Sequence, residues 1–403
     1  IFMIQKQKKS NHSSIAGRIN SILPSATLTI SAKAMELRAQ GLDIISLSQG
    51  EPDFDTPEHI KKGAIQAINR GATKYTAVDG TPELKEAIIN KFSRDNNLIY
   101  EPENILVSSG AKQTCYNLFQ SVLEEGTEAI VVSPYWVSYP DMIILTGGKP
   151  IILKTTPQNN FKLTMDDLRL LLNDQTRLLM LNSPSNPTGF AYSENQYQEI
   201  GEVLKDFPNV LIASDEIYEH IYWGEEKYYS FAQACPDLFN RTITINGVSK
   251  AYAMTGWRIG YCGGPVEIIQ AMKKIQGQST SNASSISQAA SVSALNGSLD
   301  CVISMVREYK NRYHYLFNTL EKINGFKLQE SSGAFYTFPE VSGAINHLNL
   351  SDDIEFSKYL LEKAQVAVIP GSAFGAPGHI RISFATSMEL LEEAMDRIKR
   401  VVE

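Results

Sequence analysis

From position 43 onward, short apolar and β-branched runs recur along the chain: DIISLS (43–48), NILVSS (104–109), EAIVVS (128–133), RLLMLN (177–182), NVLIAS (209–214) and TITIN (242–246). Runs this short, apolar and β-branched suit strands covered on both faces. The stretches between them are long enough for helices, so the alternation predicts an α/β unit around a mostly parallel sheet. One helix start is explicit: Thr81-Pro82-Glu83 follows an Asp79-Gly80 turn and offers an N-cap, a proline at the first helical position and an acid in the first turn. The last hundred residues follow another pattern. A long polar helix around 301–324 precedes FYTFPE (335–340), VAVIPG (366–371), HIRISFA (379–385) and a closing helix, which together predict a smaller α+β unit.

With 403 residues the chain is long enough for two or three packed units at a prior of roughly 150 residues each. Residues 1–20 read as a disordered, solvated extension: Lys6, Lys8, Lys9 and Arg18 lie there, and no acid precedes Glu36. No apolar run approaches the roughly 18 residues that a spanning helix needs, so no membrane role is expected. Lys plus Arg number 37 against 44 for Asp plus Glu, the wrong sign for a chain that lives on nucleic-acid phosphates. Cys115, Cys235, Cys262 and Cys301 are scattered without a CxxC pair, and the six histidines show no ligand spacing. Neither a disulfide framework nor a protein-held metal is expected, and a reducing, cytoplasmic compartment is.

The chemistry collects just after the predicted strands. There stand Gly110-Ala111-Lys112, Pro134-Tyr135-Trp136, Ser183-Pro184-Ser185-Asn186-Pro187-Thr188-Gly189, Asp215-Glu216-Ile217-Tyr218 and Gly247-Val248-Ser249-Lys250. In a parallel sheet these loops emerge at one carboxyl edge, where open α/β sheets bind ligands. Each has a plain reading alone: a glycine turn, a core tryptophan, an asparagine turn, an aspartate cap, a surface lysine. Gly110-Ala111 entering a helix would also suit a phosphate. Neither GxxxxGK[ST] nor GxGxxG occurs, which lowers ATP-binding and dinucleotide readings.

Taken together, from about residue 24 to the end, the sequence resembles the fold-type I pyridoxal-phosphate enzymes, and among them the class I aminotransferases. The resemblance rests on SQGEPDF (48–54), KYTAVDG (74–80), SPYWVSYP (133–140), NSPSNPTG (182–189), SDEIYE (214–219) and SKAYAMTGWRIGY (249–261). With PSATLTISAKAMELRAQG (24–41), it looks most like the bacterial and plastid-type aspartate aminotransferases. It implies a large domain with a seven-stranded mixed sheet (61–304) and a small domain built from both termini (21–60 with 305–403). It implies that Lys250 links to the aldehyde of pyridoxal 5'-phosphate and then serves as general base. Asp215 would face the pyridine nitrogen, Tyr218 and Asn186 the phenolic oxygen, and Trp136 the ring face. Arg258, with Gly110, Ala111 and Lys112 at the helix start, would hold the phosphate. Many relatives carry a phosphate-binding serine where this chain has Gly247, which leaves Ser249 as the substitute. Tyr75 resembles a tyrosine that reaches the phosphate from a neighbouring subunit, implying a homodimer.

The same resemblance makes Arg381 the partner of the substrate α-carboxylate, beside Gly50, Asn186 and Trp136. Aspartate and 2-oxoglutarate are the implied pair; an aromatic or prephenate aminotransferase, or a β-lyase, is the alternative on this scaffold. In animal and enteric aspartate enzymes an arginine reads the distal carboxylate from the loop matching Gly277 to Asn282, and here that loop has none. A transcription regulator fusing this fold to a DNA-binding domain is disfavoured by the short polar stretch before the first strand.

Overall fold

The computed structural model describes residues 15–403 apart from Leu23 and Ser25. Twelve strands occur among them: β1 (Ile45–Ser46), β2 (Ile105–Ser108), β3 (Glu128–Ser133), β4 (Lys149–Lys154), β5 (Thr176–Asn182), β6 (Leu211–Asp215), β7 (Thr242–Gly247), β8 (Gly260–Gly263), β9 (Tyr336–Thr337), β10 (Val366–Ala367), β11 (Ile369–Pro370) and β12 (Ile380–Ser383). Seven form one sheet in the order β2-β8-β7-β6-β5-β3-β4. β8 alone runs against its neighbours β2 and β7; every other pairing is parallel. Six carboxyl ends and the amino end of β8 therefore share one edge.

The strands are largely buried because both faces are covered. On β2, Ile105 and Val107 enter a core with Ile88, Phe92 and Tyr261, while Leu106 enters the opposite one with Leu118, Ile243 and Cys262. The first of these faces is closed by helix Pro82–Asn96, whose start behaves as the sequence predicts: the Thr81 hydroxyl accepts from the Leu84 N–H. Helix Ala111–Val122 lies on the other.

The C-terminal part builds its own core. Helix Asp300–Leu320 and helix Met388–Val402 pack with the three-stranded sheet β11-β12-β9 around Tyr309, Leu316, Phe335, Ile380 and Ile382. The closing helix presents Leu391, Ala394, Met395, Ile398 and Val402, a stripe at helical spacing, to that core.

Three expectations change. The run at 43–48 does not join the large sheet; Ile45 and Ser46 pair in parallel with Val366 and Ala367. Two strands of the large sheet, β4 and β8, lie outside the predicted runs. The long helix ends at Leu320 rather than near 324. The expected extension over residues 1–20 lies outside the described residues as far as position 14, and Gly17–Ser21 form an exposed 3-10 turn. No single helix among the described residues is long and apolar enough to cross a membrane.

Candidate active site

At the shared edge the loops enclose a cleft of about 390 Å³. Gly50, Ala111, Lys112, Trp136, Asn186, Asp215, Tyr218, Lys250, Arg258 and Arg381 all line it, and Gly110 sits against Arg258. Arg258 reaches this edge because β8 is antiparallel, which puts the residues preceding that strand beside the loops that follow the others.

Lys250 follows β7 and donates to the Gly50 carbonyl across the cleft. Burial pushes its ammonium down to about 8; Arg381 and Arg258 act in the same direction, and Glu51 opposes them. At pH 7 about one-tenth of the amine is then neutral, far more than for an ordinary lysine.

Asp215 ends β6 and is 5 % exposed. Its Oδ1 accepts from the Ile217 N–H at 3.2 Å and its Oδ2 from the Tyr139 hydroxyl at 2.5 Å. Burial pushes its carboxyl up to about 6, against the pull of those two donors and of Lys250. Asn182, its register partner on β5, donates to the Asp215 carbonyl and accepts from the Asn186 N–H at 2.8 Å, which ties the two loops together.

Arg258 adopts φ 58° and donates to the Thr255 carbonyl at 2.8 Å. It lies beside the start of helix Ala111–Val122, whose first turn contains no acid. Gly110 has φ +90°, and a Cβ there would fall 2.3 Å from Arg258 Nη2. Glycine therefore supplies both the turn and the room, and the guanidinium and free helix amides make a recess suited to an anion such as a phosphate. At Gly247 a Cβ would meet the Ile259 carbonyl at 2.9 Å and Gly260 Cα at 3.1 Å, which explains why no side chain stands there. Ser249 lines the cleft in its place.

Arg381 on β12 is 2 % exposed and stands between the rings of Tyr336 and Phe374, at 4.4 and 5.1 Å. It donates to Asn186 Oδ1 at 3.0 Å and to the Ser48 carbonyl at 2.6 Å, and its Nε has no acceptor. Lys112 stands at the rim, its ammonium 5.0 Å from the centre of the Trp136 ring. Burial and then Arg258 lower its pKa.

Tyr75 is not brought to this cleft. It is 92 % exposed and lies beside Arg70, Lys74 and Ser285 in a separate surface concavity. Sequence reasoning missed Tyr139 and Tyr336. The Tyr336 hydroxyl lies 2.9 Å from that of Tyr218, and both tyrosines line the cleft. The SPYWVSYP and FYTFPE segments contain them, but a tyrosine in an apolar segment carries no signal that separates core from site.

The family model for aminotransferase class I and II matches residues 42–398. The chain belongs to that family: it is an aminotransferase with pyridoxal phosphate as cofactor. Among curated proteins it is 51 % identical to the aspartate/prephenate aminotransferase of Nitrosomonas europaea, over 95 % of this chain and 98 % of that one. It is 45 % identical to the aspartate aminotransferase of Bacillus subtilis, over 96 % and 99 %. Among solved structures, the aspartate aminotransferase of Rhizobium meliloti superposes with a TM-score of 0.93 at 47 % identity, over 97 % of this chain and 99 % of that one. That of Thermus thermophilus with maleate superposes at 0.91 and 41 %, over 96 % and 100 %.

Proposed function

We propose that this cleft transfers the amino group of L-aspartate to 2-oxoglutarate, giving oxaloacetate and L-glutamate. The observation that carries the reading is Arg381. A guanidinium buried to 2 % exposure, with no carboxylate partner among the described residues and one N–H without an acceptor, calls for an anion, because a buried charge left unpaired is costly. The α-carboxylate of an amino acid fits that place as a fork-to-fork pair.

Pyridoxal phosphate, when bound, supplies an aldehyde that joins amino groups and a ring that accepts the electrons of a broken Cα–H bond. The residues fit such a group. Lys250 offers the amine, Arg258 with the amides that open helix Ala111–Val122 the phosphate recess, the Gly110 N–H being taken by the Ser108 carbonyl at 2.8 Å, and Asp215 a carboxylate to hold a proton at the ring nitrogen. Trp136 offers a stacking face, while Tyr218 and Asn186, whose carbonyl is taken by Arg381, offer donors. Lys250 then moves the proton at the substrate Cα.

Four cations line the cleft against one carboxylate, Asp215. Lys112, which the resemblance gave to the phosphate, has its ammonium over the Trp136 ring at the rim, and with Arg381, Arg258 and Lys250 assigned this reading gives it a second, distal carboxylate instead. Both substrates of the proposed reaction have one. The relative solved with maleate, a dicarboxylate, and the names of the relatives support this class. The name of the Nitrosomonas protein favours prephenate, also a dicarboxylate, as a second acceptor.

The reading also takes Tyr75 as a group that a homodimer partner would cover, residues 21–60 with 305–403 as the small domain and 61–304 as the large one, and a cytoplasmic setting, in keeping with four unpaired cysteines. The test is a panel of amino acids against 2-oxoglutarate and prephenate, scored by kcat/KM, for wild type and Lys112→Met. Aspartate should lead. Lys112→Met should lower aspartate by roughly 10- to 100-fold, the worth of one charged hydrogen bond, and leave an aromatic donor nearly unchanged. Equal losses for both donors would remove Lys112 from substrate reading, and release of pyruvate and ammonia from a cysteine conjugate in preference to transamination would overturn the reaction.

A further inference from the structure

Beneath the cleft, and in contact with none of the reacting groups assigned above, lies a second polar cluster. Glu219 follows Tyr218 directly and is 5 % exposed. Three donors from two elements converge on its carboxylate. The Lys91 ammonium, from helix Pro82–Asn96, contacts Oε1. Asn96, at the end of that helix, donates to Oε2 at 2.7 Å. Asn246, near the end of β7, donates to Oε1 at 2.8 Å. Lys91 is itself only 1 % exposed and also donates to Asn96 Oδ1 at 2.6 Å. Asn246 Oδ1 in turn accepts from the Gly247 N–H at 2.7 Å, where β7 gives way to the turn that carries Lys250.

Asp95, Glu219 and His220 bring ligand atoms within 4.8 Å of one another, a spacing that would suit a metal ion. The Lys91 ammonium already lies against Glu219 and 3.9 Å from Asp95, so the protein supplies this cation itself. Nor is stability a sufficient reason for the pair, since desolvating two buried ions offsets their attraction and apolar replacements are often neutral or better. What the cluster does have is position. β6 and β7 are neighbours in the sheet, and Glu219 joins the loop after one to the end of the other.

We propose that Glu219 is a positioning residue for the two loops that carry Tyr218 and Lys250. Held by Lys91, its carboxylate fixes Asn246, and through Asn246 the Gly247 peptide and the turn that aims the Lys250 amine. The inference rests on the roles assigned to Tyr218 and Lys250 above and adds the device that keeps them in register.

The experiment compares wild type, Asn246→Ala, Glu219→Gln and the double variant Lys91→Met/Glu219→Gln, each reconstituted with pyridoxal phosphate. Three quantities are read: thermal unfolding, the pH at which the absorption band of the lysine-bound cofactor changes, and kcat and KM for aspartate. Asn246→Ala keeps the ion pair and removes only the relay. It should fold normally, move the pH of the absorption change by about half a unit or more, and lower kcat roughly 10- to 100-fold with KM changed far less, as a misplacement of the order of 1 Å does. Glu219→Gln and the double variant, where they fold, should do the same. An Asn246→Ala protein that folds with wild-type absorbance titration and kcat overturns the inference, whatever happens to the other two. A wild type that binds no cofactor at Lys250 overturns the reading beneath it and the inference with it, so the two failures are distinguishable.

Discussion

Removing the Tyr139 hydroxyl is the most informative single perturbation of the cleft. Tyr139 Oη lies 2.5 Å from Asp215 Oδ2, both groups are buried, and the cofactor-free carboxyl stands at about 6 because burial outweighs the donors that favour its charge. A hydrogen bond to a charged acceptor contributes roughly 1.5–3 kcal/mol, which is about one to two pKa units, so Tyr139→Phe should lift the Asp215 carboxyl to about 7–8. At about pH 7 the carboxylate fraction then falls from about nine-tenths to between one-half and one-tenth, a loss of about 2- to 10-fold in the form that can hold a proton at the cofactor nitrogen. The assay is a fluorescence titration of cofactor-free protein with pyridoxal phosphate between about pH 5 and 9, for wild type and variant; the cofactor's own ionisations cancel in the ratio. The affinity ratio should be about 2 to 10 near pH 7 and return towards 1 near pH 9, where both carboxyls are ionised. A ratio of 1 at every pH would show that the Tyr139 hydroxyl does not stabilise the charged carboxylate. A loss that persisted unchanged at high pH would show that the tyrosine acts by packing alone.

Three further outcomes follow from the same geometry. Because the Asp215 carboxyl is raised from 3.8 to about 6 in the fold, the native state holds a proton that the unfolded chain has released between those values. Stability therefore falls as pH rises through that window and stays lowered above it by roughly 3 kcal/mol. Cofactor-free Asp215→Asn should exceed wild type by up to that amount above about pH 6 and lose the advantage by about pH 4, read by urea unfolding; Glu216, pushed up to about 7 by burial, titrates in both proteins and cancels. Arg381→Lys should lower kcat/KM for aspartate by about 100-fold or more, since an ammonium cannot form the two-pronged pair, while cofactor affinity stays near wild type; an unchanged kcat/KM would remove Arg381 from carboxylate binding. Gly247→Ser, which restores the side chain that many relatives carry, should destabilise by about 1–3 kcal/mol and gain no cofactor affinity, because its Cβ meets the Ile259 carbonyl at 2.9 Å; tighter cofactor binding without loss of stability would show that β8 can yield.

The parts legible in the sequence are those where local pattern and tertiary role agree. The five loops after β2, β3, β5, β6 and β7 follow short, apolar and β-branched runs that suit two covered faces. β8 escapes that logic, since GYCG is four residues long and half glycine and reads as a turn. It is a strand because the sheet needs close backbone approach there: a Cβ on Gly260 would fall 2.2 Å from the Ala111 nitrogen, and one on Gly263 2.5 Å from the Tyr100 ring. β4 is legible only in hindsight, because KPIILK opens on a lysine and a proline and forms an edge, paired on one side with β3 alone.

The gaps within the site have a single physical origin. Lys250, Asp215 and Arg381 each have a plain reading alone, and it is the family resemblance of the segments around them that singles them out. Tyr139, Tyr336 and Asn246 are not singled out, since a tyrosine or an amide is at home in a core once its polar atom finds a partner. Yet these neutral groups govern how the charged ones behave. Tyr139 sets how firmly Asp215 holds its charge, Tyr336 covers one face of Arg381 and meets the Tyr218 hydroxyl, and Asn246 links Glu219 to the turn bearing Lys250. The resemblance finds the residues that would touch cofactor and substrate, and the hydrogen-bond partners that tune them become visible only when the sheet brings distant segments to within about 3 Å. For Tyr139 and Asp215 that separation is 76 residues along the chain, and for Tyr218 and Tyr336 it is 118, which is why no local spacing rule could have reported either pair.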